Sequence, residues 1–116
     1  MNAPAQVATQ PRTACVEPYD AAAVEACVRE VWRAGGYGEE EDFAVAVAWC
    51  ESKFKPWEIG DNGNAFGLYQ IWRRWHGWRR PPSWWDGGSW ADPRENALLA
   101  LEIRRASGWG PWSCAR

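Results

Sequence analysis

Several residue types and motifs are scarce or absent in this chain of 116 residues, and each gap excludes a kind of site. A single histidine, His76, and four cysteines with no Cys-x-x-Cys pair argue against a zinc site of ordinary spacing. The chain has no Gly-x-Gly-x-x-Gly motif and no P-loop, so we expect no nucleotide cofactor and predict no metal or other cofactor. No run approaches the roughly 18 uncharged apolar residues of a transmembrane helix.

The chain also lacks an excess of charge of either sign. It has 13 Lys and Arg against 15 Asp and Glu, a formal net charge of −2. This balance argues against a protein that binds nucleic acid through bulk electrostatics. Residues 1–14 lack the apolar core of a secretory signal, so we expect either that a signal preceded this numbering or that delivery takes another route.

The four cysteines favour disulfides over free thiols. Cys15, Cys27, Cys50 and Cys114 form an even set in a small chain, which predicts two disulfides, three possible connectivities and an oxidising compartment. Cys15 is placed to reach back to Cys27 in the first predicted helix. The alternative is four buried thiols, because cysteine packs well as a small hydrophobic residue.

Apolar and aromatic residues are abundant, and they predict one compact helical domain. The chain is 47% hydrophobic and has 11 tryptophans, enough for one core and too apolar for disorder. We interpret residues 1–18 as an arm or linker and residues 19–116 as the domain. Capping signals and apolar periodicity predict helices over residues 21–34, 39–53 and 93–107. Residues 65–75 fit either a helix or a strand running into one, and residues 77–89 predict a loop.

The turn signal between the second and third of these helices limits the β structure. Gly60-Asp61-Asn62-Gly63-Asn64 is rich in turn formers, and Asn-Gly favours a tight hairpin. We therefore expect a mainly α fold of the α+β kind, with at most a short β-hairpin near residues 58–68.

Glu51 is the strongest candidate for chemistry. We predict that its helix buries a stripe made of Phe43, Ala46, Val47, Cys50 and Phe54. At about 100° per residue, Glu51 lies at the edge of that stripe, so its carboxyl should be partly buried and its pKa raised. A general acid needs such a pKa near neutral pH. The alternative is a solvated glutamate at the end of a helix.

Residues 72–85, which begin with Trp72 and end with Trp85, interleave tryptophan and arginine. This composition suits stacking on sugar rings, contact with a membrane surface or stacking on bases. It equally suits tryptophans packed into the core under a cover of arginine. His76 lies in this segment without a Ser or Cys nucleophile elbow, so we interpret it as non-catalytic.

Three motifs in order resemble a known superfamily. They are Cys50-Glu51-Ser52, then Gly-Asn-Ala-Phe-Gly-Leu-Tyr-Gln-Ile over residues 63–71, then Ser-Gly-Trp-Gly-Pro-Trp-Ser-Cys ending at Cys114, with Asn96 in an alanine-rich helix before it. This pattern resembles the lysozyme-like superfamily, especially soluble lytic transglycosylases and the catalytic domain of resuscitation-promoting factors. The resemblance covers about residues 39–116. It departs from the family at residues 72–90 and in lacking a Tyr-Asn-Ala-Gly motif.

The resemblance implies a lysozyme-like fold and a glycosidase that acts on peptidoglycan. Its bond would be the β-1,4 link between N-acetylmuramic acid and N-acetylglucosamine, with Glu51 as general acid. A Cys50–Cys114 disulfide is implied beside that acid, which leaves Cys15 and Cys27 as the other pair. We expect a monomer that binds peptidoglycan strands, outside the cell, in the wall or periplasm, or on a phage particle. The implied substrate-binding residues are Ser52, Gly67, Tyr69, Gln70, Asn96, Trp109 and Trp112.

Two questions stay open at this point. A hydrolase commonly needs a second carboxylate, whereas a lytic transglycosylase uses one acid that then acts as base. Asp61 is the best second carboxylate and Glu58 the next, although Asp61 also fits a purely turn-forming role. The alternative functions are a non-catalytic module that binds wall glycan and a membrane-active or nucleic-acid-binding protein that works through residues 72–85.

Overall fold

The computed structural model describes residues 15–116. Three two-residue strands form one antiparallel sheet in the order β1-β2-β3, and the remaining regular structure there is helical. The mainly α fold with a short β element is therefore confirmed, and a third strand extends the predicted hairpin. The helices are α1 (Ala21–Ala34), α2 (Glu41–Ser52), α3 (Arg73–His76), α4 (Pro82–Asp86) and α5 (Pro93–Ser107), and the strands are β1 (Ile59–Gly60), β2 (Ala65–Phe66) and β3 (Ile71–Trp72).

The predicted arm lies largely outside the described residues. Of residues 1–18, only the last four are described, and Cys15 among them is joined to Cys27 of α1 by a disulfide. Because Cys27 is fully buried, this bond fixes the start of the described chain onto the inner face of α1.

The first and the last long helices of the chain, α1 and α5, begin where their capping signals predict. Asp20 accepts a hydrogen bond from the backbone N–H of Ala23 at 2.8 Å and caps α1. Asp92 accepts from the N–H groups of Arg94 and Glu95 and caps α5, with proline at the first helical position. Both helices pack against each other, and α2 packs on α1.

The predicted core stripe of α2 is wrong in part. The helix buries Ala44, Val47, Ala48 and Ser52, whereas Phe43, Ala46 and Cys50 are exposed. Residues 43–50 are apolar without a break, so the sequence defines no unique apolar face. The exposed ring of Phe43 packs edge-on against Trp109, with ring centroids 5.0 Å apart.

Residues 65–89 contain more regular structure than the sequence predicts. The option of strand followed by helix is confirmed for residues 65–75, which form β2, β3 and α3. The predicted loop at residues 77–89 is wrong in part, because Pro82 starts the five-residue helix α4. That helix is too short for periodicity to reveal, and it is held by two buried tryptophans: Trp84 donates to Glu95 and Trp85 to the carbonyl of Gly77.

Asn96 joins the last helix to the sheet. Its Oδ1 accepts from the N–H of Tyr69 at 2.9 Å, and its Nδ2 donates to the carbonyls of Phe66 and Trp90 at 3.1 Å each. Gly67 has φ +79°, and a Cβ there would collide with the Asn96 amide and the Trp90 carbonyl. The turn between β2 and β3 is thus fixed to α5 by one buried side chain.

Replacing Asn96 with alanine is expected to destabilise the fold by about 3 kcal/mol, because three backbone groups lose a buried partner. Chemical denaturation of the variant and the parent measures this difference. Asn64→Ala is the matched control: its exposed side chain donates one bond, to the Asp61 carbonyl, and we expect it to cost about 1 kcal/mol or less. Equal losses in the two variants would contradict the central place of Asn96.

Candidate functional site

Glu51 lies in the last turn of α2, where the helix ends abruptly. Lys53 and Phe54 follow it in left-handed backbone conformations, with φ of 55° and 60°. The half-buried carboxylate accepts a hydrogen bond from the backbone N–H of Cys114 at 3.3 Å. Cys114 is disulfide-bonded to Cys50, the residue before Glu51. The disulfide therefore holds the C-terminal turn against the carboxyl group.

The surroundings of Glu51 favour its protonated form. Burial raises the pKa of the Glu51 carboxyl, because the charged form loses hydration. The N–H of Cys114 opposes this and lowers the pKa, while the negative charge of Asp61 raises it further. The carboxyl is thus partly buried and has a raised pKa, as the sequence predicts, although the apolar stripe used to place it is partly wrong.

Strained backbone is concentrated in the chain segment that follows Glu51. Among residues 15–116, every non-glycine residue with positive φ lies between the end of α2 and the start of β3. Such conformations are unfavourable for side-chain-bearing residues and persist where surrounding contacts impose them, often at functional sites. The five residues are Lys53, Phe54, Asp61, Asn62 and Gln70.

Asp61 is an exposed carboxylate with a defined orientation. It begins the turn between β1 and β2, and its Oδ2 accepts from Trp72 Nε1 at 3.1 Å. Trp72 reaches it because β3 pairs with β2, which places Trp72 opposite Ala65 at the end of the turn. The negative charge of Asp61 also contributes to the raised pKa of Glu51, after burial.

A pocket of about 280 Å³ adjoins the Asp61–Trp72 pair. His76 in its wall has a lowered pKa, chiefly because of burial and then because of the charge on Arg79, so its imidazole is neutral at neutral pH. Apolar rings with a few polar groups are typical of a ligand pocket. The lining residues are Gln70, Ile71, Trp72, Trp75, His76, Ile103, Pro111 and Trp112.

A family model described as a lysozyme-like domain matches residues 28–114. The chain belongs to the lysozyme-like domain family. The match runs through all three strands and includes the tryptophan-rich residues 72–85, so that segment is part of the lysozyme-like domain. Comparisons with curated proteins and with solved structures give no match. Membership associates the chain with glycosidase chemistry on peptidoglycan, and with two disulfides it fits an extracellular or periplasmic location.

Four of the residues predicted to bind substrate are buried and are satisfied by contacts within the protein: Ser52, Gly67, Tyr69 and Asn96. Tyr69 is fully buried, accepts from Trp32 Nε1 and donates to the Ala44 carbonyl at 2.8 Å, and burial raises its pKa. Its ring is covered by the core and has no face free to stack on a sugar. Ser52 donates to the Ala48 carbonyl within α2. Together with Gly67 and Asn96, these residues hold the end of α2 and the turn between β2 and β3 in place.

Of the other predicted substrate residues, two line the pocket and the third, Trp109, does not. Gln70 lines the pocket, and its amide donates to the carbonyls of Glu58 and Gly67. Trp112 also lines it and donates to the Tyr69 carbonyl at 2.9 Å. Trp109 instead donates to Glu40 and stacks on Trp32. Its ring also lies against that of Trp112, with centroids 5.3 Å apart, so Trp109 packs behind the pocket wall and does not line the pocket.

Sequence reasoning missed the role of Trp72 and the participation of Ile103 and Pro111. Trp72 belongs to the tryptophan-rich segment, but nothing local pairs it with Asp61, since the pairing of β2 with β3 brings them together.

Within residues 15–116, the helices are too short or too polar to span a bilayer. No group of three or more His, Cys, Asp or Glu in that part is arranged to hold a metal ion.

Proposed function

We propose that this lysozyme-like domain cleaves the β-1,4 bond between N-acetylmuramic acid and N-acetylglucosamine in peptidoglycan, with Glu51 as general acid. The observation that carries the proposal is the half-buried Glu51 carboxyl at the end of α2, which accepts from the Cys114 N–H and whose pKa is raised chiefly by burial. A carboxyl with a raised pKa stays protonated at higher pH than a free glutamate, and it can deliver its proton to the glycosidic oxygen as the bond to the anomeric carbon breaks. The aromatic pocket lined by Trp72, the partner of Asp61, supplies ring faces for sugar units.

Asp61 supports a hydrolytic route. In hydrolysis, a second carboxylate either attacks the anomeric carbon or takes a proton from the attacking water. In transglycosylation, the muramyl 6-hydroxyl attacks the anomeric carbon and the ionised Glu51 takes the hydroxyl proton, so no second carboxylate is needed. The Asp61 carboxylate is exposed, is oriented by Trp72 and raises the pKa of Glu51. These features favour hydrolysis.

Release of soluble fragments from dye-labelled peptidoglycan tests whether the domain is an enzyme. We expect release by the unaltered protein and strongly reduced release by Asp61→Asn. Sedimentation with the same peptidoglycan, measured in parallel, reports binding alone. Binding without release would support a non-catalytic wall-binding module and overturn the proposal.

Asp61→Asn is also expected to lower the pKa of Glu51, because the negative charge that raises it is removed. Carbon-detected NMR titration of the Glu51 carboxyl measures this pKa even in an inactive variant. The activity of the unaltered protein should fall as pH rises through the Glu51 pKa measured in that protein, because the ionised carboxylate has no proton to donate.

Asp86→Asn is the matched control for this titration. It removes an equal charge from an exposed carboxylate that pairs with Arg73, and the Glu51 pKa should not move. A Glu51 pKa that is the same in Asp61→Asn as in the parent would show that the two carboxyl groups do not interact.

A further inference from the structure

A second concavity lies on the other side of α3 from the pocket described above. Trp72, Trp75 and His76 line the pocket, whereas Arg73 and the turn after α3 line this open groove of about 580 Å³. We call it the arginine groove. The lining residues that matter to its chemistry are Arg73, Trp78, Arg79, Arg80, Pro82 and Trp85.

Positive charge is in excess along the arginine groove. Arg73 pairs with Asp86 at 2.9 Å, and Arg79 and Arg80 share Glu102 at 3.3 and 2.8 Å. Three groove guanidinium groups thus face two carboxylates, both of which remain substantially exposed to solvent.

Aromatic surface accompanies this charge. Trp78 is 76% exposed, and the Arg79 guanidinium lies over its ring, 4.4 Å from the centroid. Trp85 is buried beneath Arg73 and donates to the carbonyl of Gly77, which fixes the turn that carries Trp78. The groove therefore offers planar cations and one free ring face on a rigid base.

We propose that the arginine groove binds an anionic poly(polyol phosphate), a polymer in which phosphodiesters join polyol units rather than nucleosides. Guanidinium groups bind phosphate oxygens in pairs, and the exposed Trp78 ring can pack on the C–H groups between the charges. An open concave groove admits a chain that passes through it, whereas insertion into a membrane surface uses an apolar face that projects outward. This site is separate from Glu51 and Asp61, so it stands or falls independently of the proposed cleavage.

Calorimetric titration with poly(glycerol phosphate), in the absence of peptidoglycan, tests the proposal. We expect binding that weakens as salt is added, because the contacts are between charges. Trp78→Ala and Arg73→Gln should each weaken it about tenfold, as the loss of one charged or stacking contact predicts. Glu102→Gln should strengthen it, since it frees Arg79 and Arg80, and a merely structural role would not produce that gain.

Arg105→Gln is the matched control, because Arg105 is exposed and donates to the carbonyl of Gly35 on another part of the surface. Its affinity should equal that of the parent. No binding of poly(glycerol phosphate) would overturn the proposal. Equal binding of polyglutamate would overturn the assignment to phosphate. Tighter binding of oligothymidylate, or binding confined to phosphatidylglycerol vesicles, would assign the groove to nucleic acid or to membrane instead.

Discussion

Glu51→Gln is expected to slow peptidoglycan cleavage by about 10²- to 10⁴-fold, the usual contribution of a general acid. Glutamine has nearly the shape of glutamate and keeps an oxygen that can accept from the Cys114 N–H, which contacts Glu51 at 3.3 Å. Its amide N–H groups are not acidic, so it cannot transfer a proton to the leaving oxygen. The rate of fragment release from labelled peptidoglycan, measured at equal binding, gives the effect.

The same substitution is expected to maintain or raise the stability of the protein at neutral pH. The pKa of Glu51 is higher in the folded state than in the unfolded chain, chiefly because of burial. Its stabilising contribution is therefore present below the unfolded pKa, and it is lost as pH rises through the folded pKa. Thermal unfolding should show a higher Tm for Glu51→Gln at about pH 7 and nearly equal values at about pH 3, where both states are protonated.

Glu39→Gln is the control for both measurements, because Glu39 is an exposed glutamate in the turn before α2. Its activity should equal that of the parent. A Glu51→Gln protein that is folded, binds peptidoglycan and retains more than half of the activity would exclude Glu51 as the acid.

Removal of the Cys50–Cys114 disulfide, as Cys50→Ala with Cys114→Ala, is expected to cost about 4 kcal/mol of stability. The chain-entropy estimate depends on the sequence separation of the cysteines, which is 64 here. Activity should fall further than stability alone explains, because the released C-terminal turn carries the N–H that contacts Glu51. Denaturant unfolding measures the first effect, and cleavage at a temperature where the variant is folded measures the second.

The Cys15–Cys27 disulfide provides the matched control. Its cysteines are 12 residues apart, so Cys15→Ala with Cys27→Ala should cost less, about 3 kcal/mol. It lies on α1 and does not contact Glu51, so the folded variant should cleave at the parent rate. If both double variants lose the same activity while folded, the Cys50–Cys114 bond has no special part in holding the acid.

Local signals were sufficient for the helix ends and for the position of Glu51. Asp20 and Asp92 cap their helices as predicted because capping depends on neighbouring residues alone. Glu51 has the predicted environment even though the stripe used to place it is partly wrong. The C-terminal turn, which the resemblance joins to Cys50, contributes to that environment through the Cys114 N–H.

Long-range contacts explain what the sequence could not predict. Tyr69 and Asn96 carry polar groups that often mark a binding site, yet each is fully buried because partners distant in the chain satisfy those groups. The Trp72–Asp61 bond depends on strand register, which two-residue strands do not encode in any visible alternation. The arginines of residues 72–85 lie over tryptophan rings, some of which are buried and others exposed, so composition alone does not separate the two groups.

Mass spectrometry of the fragments released from purified peptidoglycan tests directly whether Glu51 is the acid of a glycosidase. The parent protein and Glu51→Gln are incubated side by side, and the new glycan ends are identified. We expect the parent to cleave at N-acetylmuramic acid and leave reducing ends, and we expect Glu51→Gln to release at least about a hundredfold less in the same time. Ends lighter by one water would keep the role of Glu51 and remove that of Asp61. No fragments from the parent, or equal fragments from Glu51→Gln, would show that Glu51 is not the acid of a peptidoglycan glycosidase.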